Sequence, residues 1–313
     1  MKSDARKRLS KWARGLFLAG VLAFLAMQFG EIGWNEIWQS LPTHPLFYLL
    51  FVFIYGALPL SETFIYRRLL NFSFFKGLPF FFKKRVFNKD VLGYSGEVYL
   101  FLWASKHVKK SRNEVMHAIK DNNIVSAISS TMFVVALLGY FFLTGQVEFP
   151  ESYSENLAVK IAAGLVLISL LVVAGIRFRK SVFGLPGMTL LWVFGTHFGR
   201  LALLSLLQIL QWSIVLPGVE MTVLFTFLSI QIIASRIPLL PARDLVFLGA
   251  AVEMTGVLDV SSAEVAGMLA IVSVLDKLVN LVLFSAVSFL ERGSISEEPV
   301  QDMIDHGRVP VDP

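Results

Sequence analysis

Long apolar blocks limit how this chain can fold more than any other feature of its sequence. Eight blocks follow one another along the 313 residues; they lie at about Gly15–Phe29, Pro45–Ile65, Ile124–Leu143, Val159–Ile176, Leu201–Pro217, Met221–Ala234, Leu245–Val257 and Val265–Leu290. In lipid, a helix of about 20 apolar residues crosses the bilayer and satisfies its own backbone hydrogen bonds. Only 16% of the residues are charged, against about 25% in soluble domains. We therefore expect an all-α polytopic integral membrane protein with seven or eight transmembrane helices.

The distribution of basic residues predicts how the chain is oriented in the membrane. Residues 1–14 hold six Lys and Arg, and residues 65–120 hold twelve against three acids, so both segments are expected in the cytoplasm. The segments 31–44 and 144–158 contain no Lys or Arg and are expected outside. Trp34 and Trp38 in the first of these suit a short helix in the outer interface.

The two ends of the chain complete the expected layout. The basic start leads into an apolar block without the cleavage site of a signal peptide, so we expect a retained first helix. The expected location is a prokaryotic cytoplasmic (inner) membrane, with the N-terminus in the cytoplasm. A single membrane domain is expected over residues 1–290, with residues 65–120 as its basic cytoplasmic loop. Residues 291–313 are polar and are expected to form a disordered tail.

Several classes of chemistry are not expected. The chain has no cysteine, which excludes disulfides, a thiol nucleophile and thiolate metal sites. It shows no phosphate-binding glycine loop and no H-E-x-x-H metal motif, so we expect neither a cofactor nor a metal. Nucleic acid is not an expected partner, because the basic residues lie between membrane segments.

Two apolar segments are too short to cross a bilayer. Val91–Ala104 has 14 residues between basic flanks, and about 1.5 Å per residue falls short of a core of about 30 Å. Met221–Val257 is broken by Pro238 and Pro241, and prolines interrupt helices. One or two re-entrant half-helix segments are therefore expected. Because each break has a turn, an ionisable residue and a short helix, they also suggest an internal repeat, which is typical of transporter sites.

The string Gly93-Tyr94-Ser95-Gly96 at the first break raises two alternatives. A serine in G-x-S-G context is the nucleophile of some intramembrane hydrolases, but a hydroxyl needs a base to become nucleophilic. Among the histidines, His197 in a Gly-x-His-x-Gly context is the best candidate for that base. The simpler interpretation is that Ser95 caps the helix that starts near Gly96. Glu97 is then the sharper candidate, because a carboxylate in a membrane needs a partner and is functional by default.

Ionisable residues within or beside the apolar blocks are the candidate translocation site. Charges at the centre of a membrane helix cost about 2.5–3.5 kcal/mol each, so partners are implied. Adjacent residues on a helix point in different directions, so Asp276 and Lys277 are expected to pair elsewhere. The candidates for substrate binding and translocation are Glu97, Arg236, Arg243, Asp244, Glu253, Asp276 and Lys277. The alternative is a structural network of buried ions.

Basic residues of the predicted cytoplasmic loop are candidates for recruiting a lipid head group. Clusters of Lys and Arg at the inner leaflet attract anionic lipids. The candidates are Arg67, Arg68, Lys84 and Arg85. Their simpler role is to fix the topology of the chain.

Two strings resemble signatures of a known family. "NKDVLGYSGEVYLFLW" (88–103) is similar to the first signature of the flippase-like membrane domain of lysylphosphatidylglycerol synthases, and "RIPLLPARDLVFLGAAVEMTGVL" (236–258) is similar to the second. "MLAIVSVLDKLVNLVL" (268–283) lies where that family places a charged residue in a late helix. The chain departs from the family at Gly93, where a proline is common, and at Lys277, where an arginine is expected.

The resemblance implies a body with re-entrant helices that moves lipids or lipid-linked precursors between leaflets. Lipid aminoacylation is not expected, because no soluble transfer domain follows the membrane blocks. We therefore expect a non-enzymatic, flippase-like transporter of an anionic phospholipid or lipid-linked precursor. The alternatives are an accessory protein of lipid or envelope-glycan biosynthesis and an intramembrane serine hydrolase that uses Ser95. The expected partners are membrane lipids, with a second copy of the chain or a biosynthetic enzyme as the protein partner.

Overall fold

The computed structural model describes residues 22–91, 94–143, 182–236 and 243–291, and in these ranges it contains helices and no strands. We number the helices in chain order. They are α1 (Leu22–Ile32), α2 (Trp34–Gln39), α3 (Pro45–Leu70), α4 (Phe74–Val86), α5 (Ser95–His107), α6 (Arg112–Leu143), α7 (Gly187–Val215), α8 (Met221–Arg236), α9 (Arg243–Leu258) and α10 (Ser262–Glu291). A π-helical turn at Phe87–Val91 continues α4. The predicted all-α class is confirmed for the described residues.

Three of the described helices are long and apolar enough to cross a membrane. They are Pro45–Leu70, Gly187–Val215 and Ser262–Phe289. The protein is therefore a helical membrane protein, whereas the predicted number of seven or eight spans stays a prediction. The block expected at Leu201–Pro217 begins earlier than predicted, because α7 is already helical from Gly187. Four predicted features lie wholly or almost wholly outside the described residues. They are the basic residues 1–14, the segment 144–158, the span at Val159–Ile176 and the tail 291–313.

Contacts between the long helices define two ends of the molecule. α3 and α7 run in opposite directions, since Arg68 near the end of α3 stacks on Trp192 near the start of α7, while Gln211 near the end of α7 donates a hydrogen bond to the carbonyl oxygen of Phe47. We call the end with Arg68 the basic end. The opposite end holds α2, and we call it the α2 end.

The short helices α4 and α5 form a pair at the basic end. Their apolar core unites them with the last turns of α3 and the first turns of α6, through Tyr66, Phe81, Leu100 and Val115. Each helix has 13 residues, or about 20 Å, so neither can cross a bilayer. The described residues of segment 65–120 are thus mostly helical and packed into the body. The short helix predicted within it at Val91–Ala104 corresponds to α5, whereas α4 was not predicted. Apolar residues such as Phe80 and Phe81 explain this packing, because they are buried between these helices.

The short helices α8 and α9 form a second pair at the α2 end. Leu224 and Phe227 of α8 and Phe247 of α9 share a core with Trp212 near the end of α7 and Val265 near the start of α10. Each helix has 16 residues, or about 24 Å, again too short for a span. The two pairs therefore approach the middle of the molecule from opposite ends.

The start of α5 is built by Asn88, not by Ser95. The side-chain oxygen of Asn88 accepts the backbone N–H of Gly96 at 2.7 Å, while its amide nitrogen donates to Glu97 Oε1 at 3.2 Å. Ser95 is the first residue of α5, and its hydroxyl donates to the carbonyl oxygen of Phe87 at 2.8 Å. The prediction that Ser95 caps this helix is therefore wrong; the sequence could not show that the preceding turn brings Asn88 against the free N–H groups.

Gly96 allows this close approach, which yields a first prediction. A Cβ at residue 96 would lie 2.6 Å from the carbonyl oxygen of Lys84 and 2.7 Å from Asn88 Oδ1. Gly96→Ala should therefore destabilise the protein by about 1–3 kcal/mol, since backbone atoms must move apart. Thermal unfolding in detergent measures this loss. Gly195→Ala is the matched control, because a Cβ there meets no atom within 4 Å. Equal melting temperatures for the two variants would contradict the close approach.

A reciprocal pair of hydrogen bonds starts α6. Ser111 Oγ accepts the N–H of Glu114, and Glu114 Oε2 accepts the N–H of Ser111 at 2.9 Å. Lys110 donates to the other carboxylate oxygen of Glu114 at 2.9 Å. The hydrogen bonds from Lys110 and then from Ser111 lower the pKa of Glu114 from its ordinary value of 4.5 to about 2.

The depressed pKa of Glu114 yields a second prediction. The carboxylate stabilises this turn at pH values above its ordinary pKa of 4.5, and the contribution is lost as the pH falls towards about 2. Lys110→Met should raise the pKa of Glu114 towards 4.5, because the first of the donors is removed. Carbon NMR titration of a sample labelled at glutamate carboxyls measures the shift. An unchanged titration of Glu114 in this variant would contradict the assigned cause.

Candidate functional site between the two short-helix pairs

The inner ends of the two short-helix pairs meet at Lys89. Its ammonium lies 2.7 Å from Asp244 Oδ2, at the start of α9, and 2.9 Å from Asp276 Oδ2, in α10. Asp276 is the fifteenth of the 30 residues of α10 and is therefore near the middle of that helix. Lys89 itself belongs to the π-helical turn that ends the first pair. One cation thus joins both pairs to the centre of a helix long enough to span a membrane.

Arg85 supplies a second cation from the last turn of α4. Its guanidinium donates to Asp276 Oδ1 at 2.7 Å and to Asn280 Oδ1 at 2.8 Å. It also stacks on the ring of Tyr55, 3.9 Å from the centroid, and Tyr55 donates its hydroxyl proton to Asn280. Asn280 in turn donates to Asp276 Oδ2 at 3.1 Å. The two oxygens of Asp276 are therefore fully occupied, by two cations and one amide.

Burial differs across this network. The side chain of Asp276 is 8% exposed and that of Arg85 is 12% exposed, while Lys89 and Asp244 are 30% and 49% exposed. The closed part of the network therefore lies against α3 and α10, and the open part lies where the two pairs meet. A charge-assisted contact on the open side can exchange with another anion more readily than one on the closed side, because less of it is desolvated.

Three of the residues predicted from the sequence come together here. Asp244 and Asp276 share Lys89, and Arg85 binds Asp276. Arg236 ends α8 and Arg243 starts α9, so the two residues flank positions 237–242 of the chain. The side chain of Arg236 lies outside the described residues, and Arg243 is exposed.

Two predicted residues lie elsewhere. Glu253 accepts a hydrogen bond from Gln28 of α1 at 3.0 Å and is exposed. Lys277 is exposed on α10, on a different face from Asp276. Adjacent residues of a helix point about 100° apart, which is why burying Asp276 leaves Lys277 outside.

Glu97 and Lys84 belong to a second ion cluster, behind the first. Lys84 has no exposed side-chain surface, and its ammonium contacts Glu62 Oε1 at 2.6 Å and Glu97 Oε1 at 3.2 Å. Lys84 was predicted to recruit head groups from an exposed loop, but its burial leaves it no access to the surface in this conformation. The intramolecular carboxylates are its partners instead.

The remaining candidates for head-group recruitment lie at the basic end. Arg67 and Arg68 are exposed in the last turn of α3, and Arg68 lies 4.4 Å over the Trp192 ring. Their position agrees with the expectation that they face one membrane surface. They share no hydrogen bond or ion pair with the Asp276 network that the structure describes.

The sequence did not single out Glu62, Lys89 or Asn280. Glu62 lies inside the apolar block Pro45–Ile65, where a lone carboxylate is itself the signal of a functional or paired residue. Asn280 follows Asp276 by four residues, the spacing that places both on one helix face. Lys89 gave no such signal, because it was one of twelve basic residues in segment 65–120.

The other chemistries considered from the sequence gain no support from this geometry. The hydroxyl of Ser95 donates to the carbonyl oxygen of Phe87, which cannot act as a base. His197, the candidate base, is buried in α7 and contacts Asn122 Oδ1 through Nε2 at 3.0 Å. Among the described residues, no group of three or more His, Asp or Glu side chains is placed to hold a metal ion.

Comparison with models of known protein families, with curated proteins and with solved structures found no match. The class that the fold defines is a helical integral membrane protein with ion networks buried in its body. The resemblance to the flippase-like domain of lysylphosphatidylglycerol synthases stays a prediction.

Buried ion pairs at the site yield a third prediction. Asp276→Asn should destabilise the protein by about 3–5 kcal/mol, because Arg85 keeps its charge in a buried position and loses its counter-ion. The matched substitution Asp259→Asn should change the stability by less than about 0.5 kcal/mol, since this side chain is exposed in the turn before α10. Thermal and chemical unfolding in one detergent compare the two. A smaller effect for Asp276→Asn than for Asp259→Asn would contradict the assigned network.

Proposed function

We propose that this protein moves an anionic phospholipid or an anionic lipid-linked precursor between the leaflets of a cytoplasmic membrane. The observation that carries the proposal is the meeting of the two short-helix pairs at Lys89, beside the mid-helix carboxylate Asp276. Broken helices that meet near the middle of a membrane are the usual sequence and structural setting of transporter sites. Ionisable groups kept at such a depth are functional by default.

The order of the helices supports an internal repeat with inverted topology. A long helix, two short helices and a long helix follow one another as α3 to α6, with 26, 13, 13 and 32 residues. The same order returns as α7 to α10, with 29, 16, 16 and 30 residues. α3 and α7 are antiparallel, so the two units have opposite directions. In this proposal both short pairs are re-entrant, the first from the cytoplasm and the second from outside.

The site supplies both signs of charge for an anionic head group. Lys89 is held by Asp244 on the open side of the network, while Arg85 is held by Asp276 on the closed side. A phosphate that enters between the pairs replaces Asp244 as the counter-ion of Lys89, and Asp276 keeps the cations in place. Arg67 and Arg68 at the basic end collect anionic lipids at the cytoplasmic surface before they enter.

Vesicle assays of lipid transfer test this function and give a fourth prediction. Purified protein is reconstituted into vesicles with phosphatidylglycerol that carries a fluorophore on one acyl chain. A membrane-impermeant reductant destroys the fluorescence of labelled lipid that reaches the outer leaflet, so the loss of fluorescence measures transfer. The wild type should transfer this anionic lipid faster than labelled phosphatidylcholine. Lys89→Gln should slow transfer about tenfold or more, since a charged contact contributes about 1.5–3 kcal/mol.

The matched control for this assay is Lys110→Gln. Lys110 also carries a positive charge, but its ion pair with Glu114 is exposed at the start of α6. Transfer rates equal to those of the wild type are expected for this variant. The function is refuted if the wild type transfers neither phosphatidylglycerol nor a lipid-linked precursor faster than empty vesicles. Such a result would favour the role of an accessory protein in lipid or envelope-glycan biosynthesis.

A further inference from the structure

A second ion cluster lies behind the site, on the other face of α4. Lys84 of α4 contacts Glu62 of α3 and Glu97 of α5, at 2.6 and 3.2 Å. Because Glu62 Oε1 and Glu97 Oε1 both contact the Lys84 nitrogen, these two oxygens cannot lie more than 5.8 Å apart. Glu62 and Glu97 have side chains that are 11% and 15% exposed, and Lys84 has none of its side chain exposed.

The charge of this cluster is not balanced. Two carboxylates close to one ammonium keep that ammonium charged, so the cluster holds one negative charge in excess. The second carboxylate oxygen of Glu97, Oε2, is buried and has no hydrogen-bond partner among the described residues. A buried anionic oxygen without a donor is costly, whereas a proton on one of the two carboxylates removes the excess charge.

The described side chains that contact the cluster beyond its own three residues, Tyr66 and Asn88, are neutral. From α3 comes Tyr66, whose ring lies 5.9 Å from the Lys84 ammonium, and from the π-helical turn comes Asn88, which donates to Glu97 Oε1. Behind Tyr66, Asn122 of α6 donates to the tyrosine hydroxyl, and His197 of α7 contacts Asn122. Arg200 of α7 and Lys84 itself are cations whose charges act on His197. Tyr66, Asn88 and Asn122 are neutral.

The spacing of residues along the chain ties this cluster to the site. Lys84 and Asn88 are four residues apart and face Glu62 and Glu97. Arg85 and Lys89 are also four residues apart and face Asp276 and Asp244. The end of α4 and the turn that follows therefore hold both clusters, and a change of charge on one face acts on the segment that positions the other.

We propose that the Glu62–Lys84–Glu97 cluster binds one exchangeable proton from water, and that this proton is coupled to the movement of the anionic lipid. The carboxylate pair takes up the proton, which brings the cluster to zero net charge, and Lys84 remains an ammonium. Neutralisation weakens the hold of the carboxylates on Lys84 and lets the end of α4 move relative to α5. The coupling rests on the function proposed above, whereas the proton site does not.

Infrared spectroscopy of the purified wild-type protein tests the proton site without any lipid. A buried protonated carboxylic acid gives a C=O band that shifts in heavy water, and we expect this band in the wild type. Glu97→Gln or Glu62→Gln should remove the band, because each takes away one carboxylate of the pair. Glu114→Gln should leave it in place, because that carboxylate is exposed and bound by Lys110. Absence of the band from the wild type at every pH at which it is folded would overturn the proposal, whatever the variants do.

Lipid transfer under a pH gradient tests the coupling. We expect a gradient of one pH unit to change the wild-type transfer rate by up to about tenfold, because one coupled proton then experiences a tenfold difference in activity. Glu97→Gln should transfer at one rate with or without the gradient. Wild-type transfer that ignores the gradient would overturn the coupling. If the infrared band is present and is lost in the variants, but the wild type moves no lipid, the function proposed above fails and the proton site stands.

Discussion

The positive charges at the end of α4 impose the constraint on which the rest of the structure depends. Lys84 and Arg85 are buried or nearly so, and a buried charge must be paired or it destabilises the fold by several kcal/mol. Their partners come from three other helices: Glu62 from α3, Glu97 from α5 and Asp276 from α10. The position of each of those helices is therefore fixed by a carboxylate as well as by apolar contacts.

The lengths of α4, α5, α8 and α9 explain why these helices occur in two pairs. Helices of 13 and 16 residues cannot span a bilayer, so in the proposed function each pair enters the membrane and turns back. The start of α5 has free backbone N–H groups, and Asn88 accepts that of Gly96. Such irregular backbone is tolerated in a membrane only against protein or a wet cavity. The position of Lys89 between the two pairs agrees with a polar route, and it is there that a proposed substrate meets the protein.

Much of this organisation follows from local sequence. The apolar blocks identified a helical membrane protein, and the short helix at Trp34–Gln39 lies where Trp34 and Trp38 predicted it. The predicted break near Gly96 falls between α4 and α5, and the one near Pro238 and Pro241 falls between α8 and α9, and all four of these helices are short. Glu97 and Asp244, singled out beside the breaks, and Asp276, singled out within a late helix, all form ion pairs, whereas their role in translocation stays a prediction. By contrast, Asn88 and not Ser95 accepts a free backbone N–H at the start of α5. Which side chain lies close to that N–H depends on the path of the preceding chain, and local sequence does not show it.

The sequence by itself determined that the chain is helical, that two of its apolar segments are too short or too broken to cross a membrane, and that charges within apolar blocks need partners. Those conclusions depend on hydrophobicity, length and the cost of burying charge, which are properties of single segments. Only the tertiary structure decided which acid meets which base. Arg85 and Asp276 are 191 residues apart, and Lys84 and Arg85 are neighbours that face different clusters. Pairing at such separations depends on how the helices pack and rotate, which no local pattern encodes.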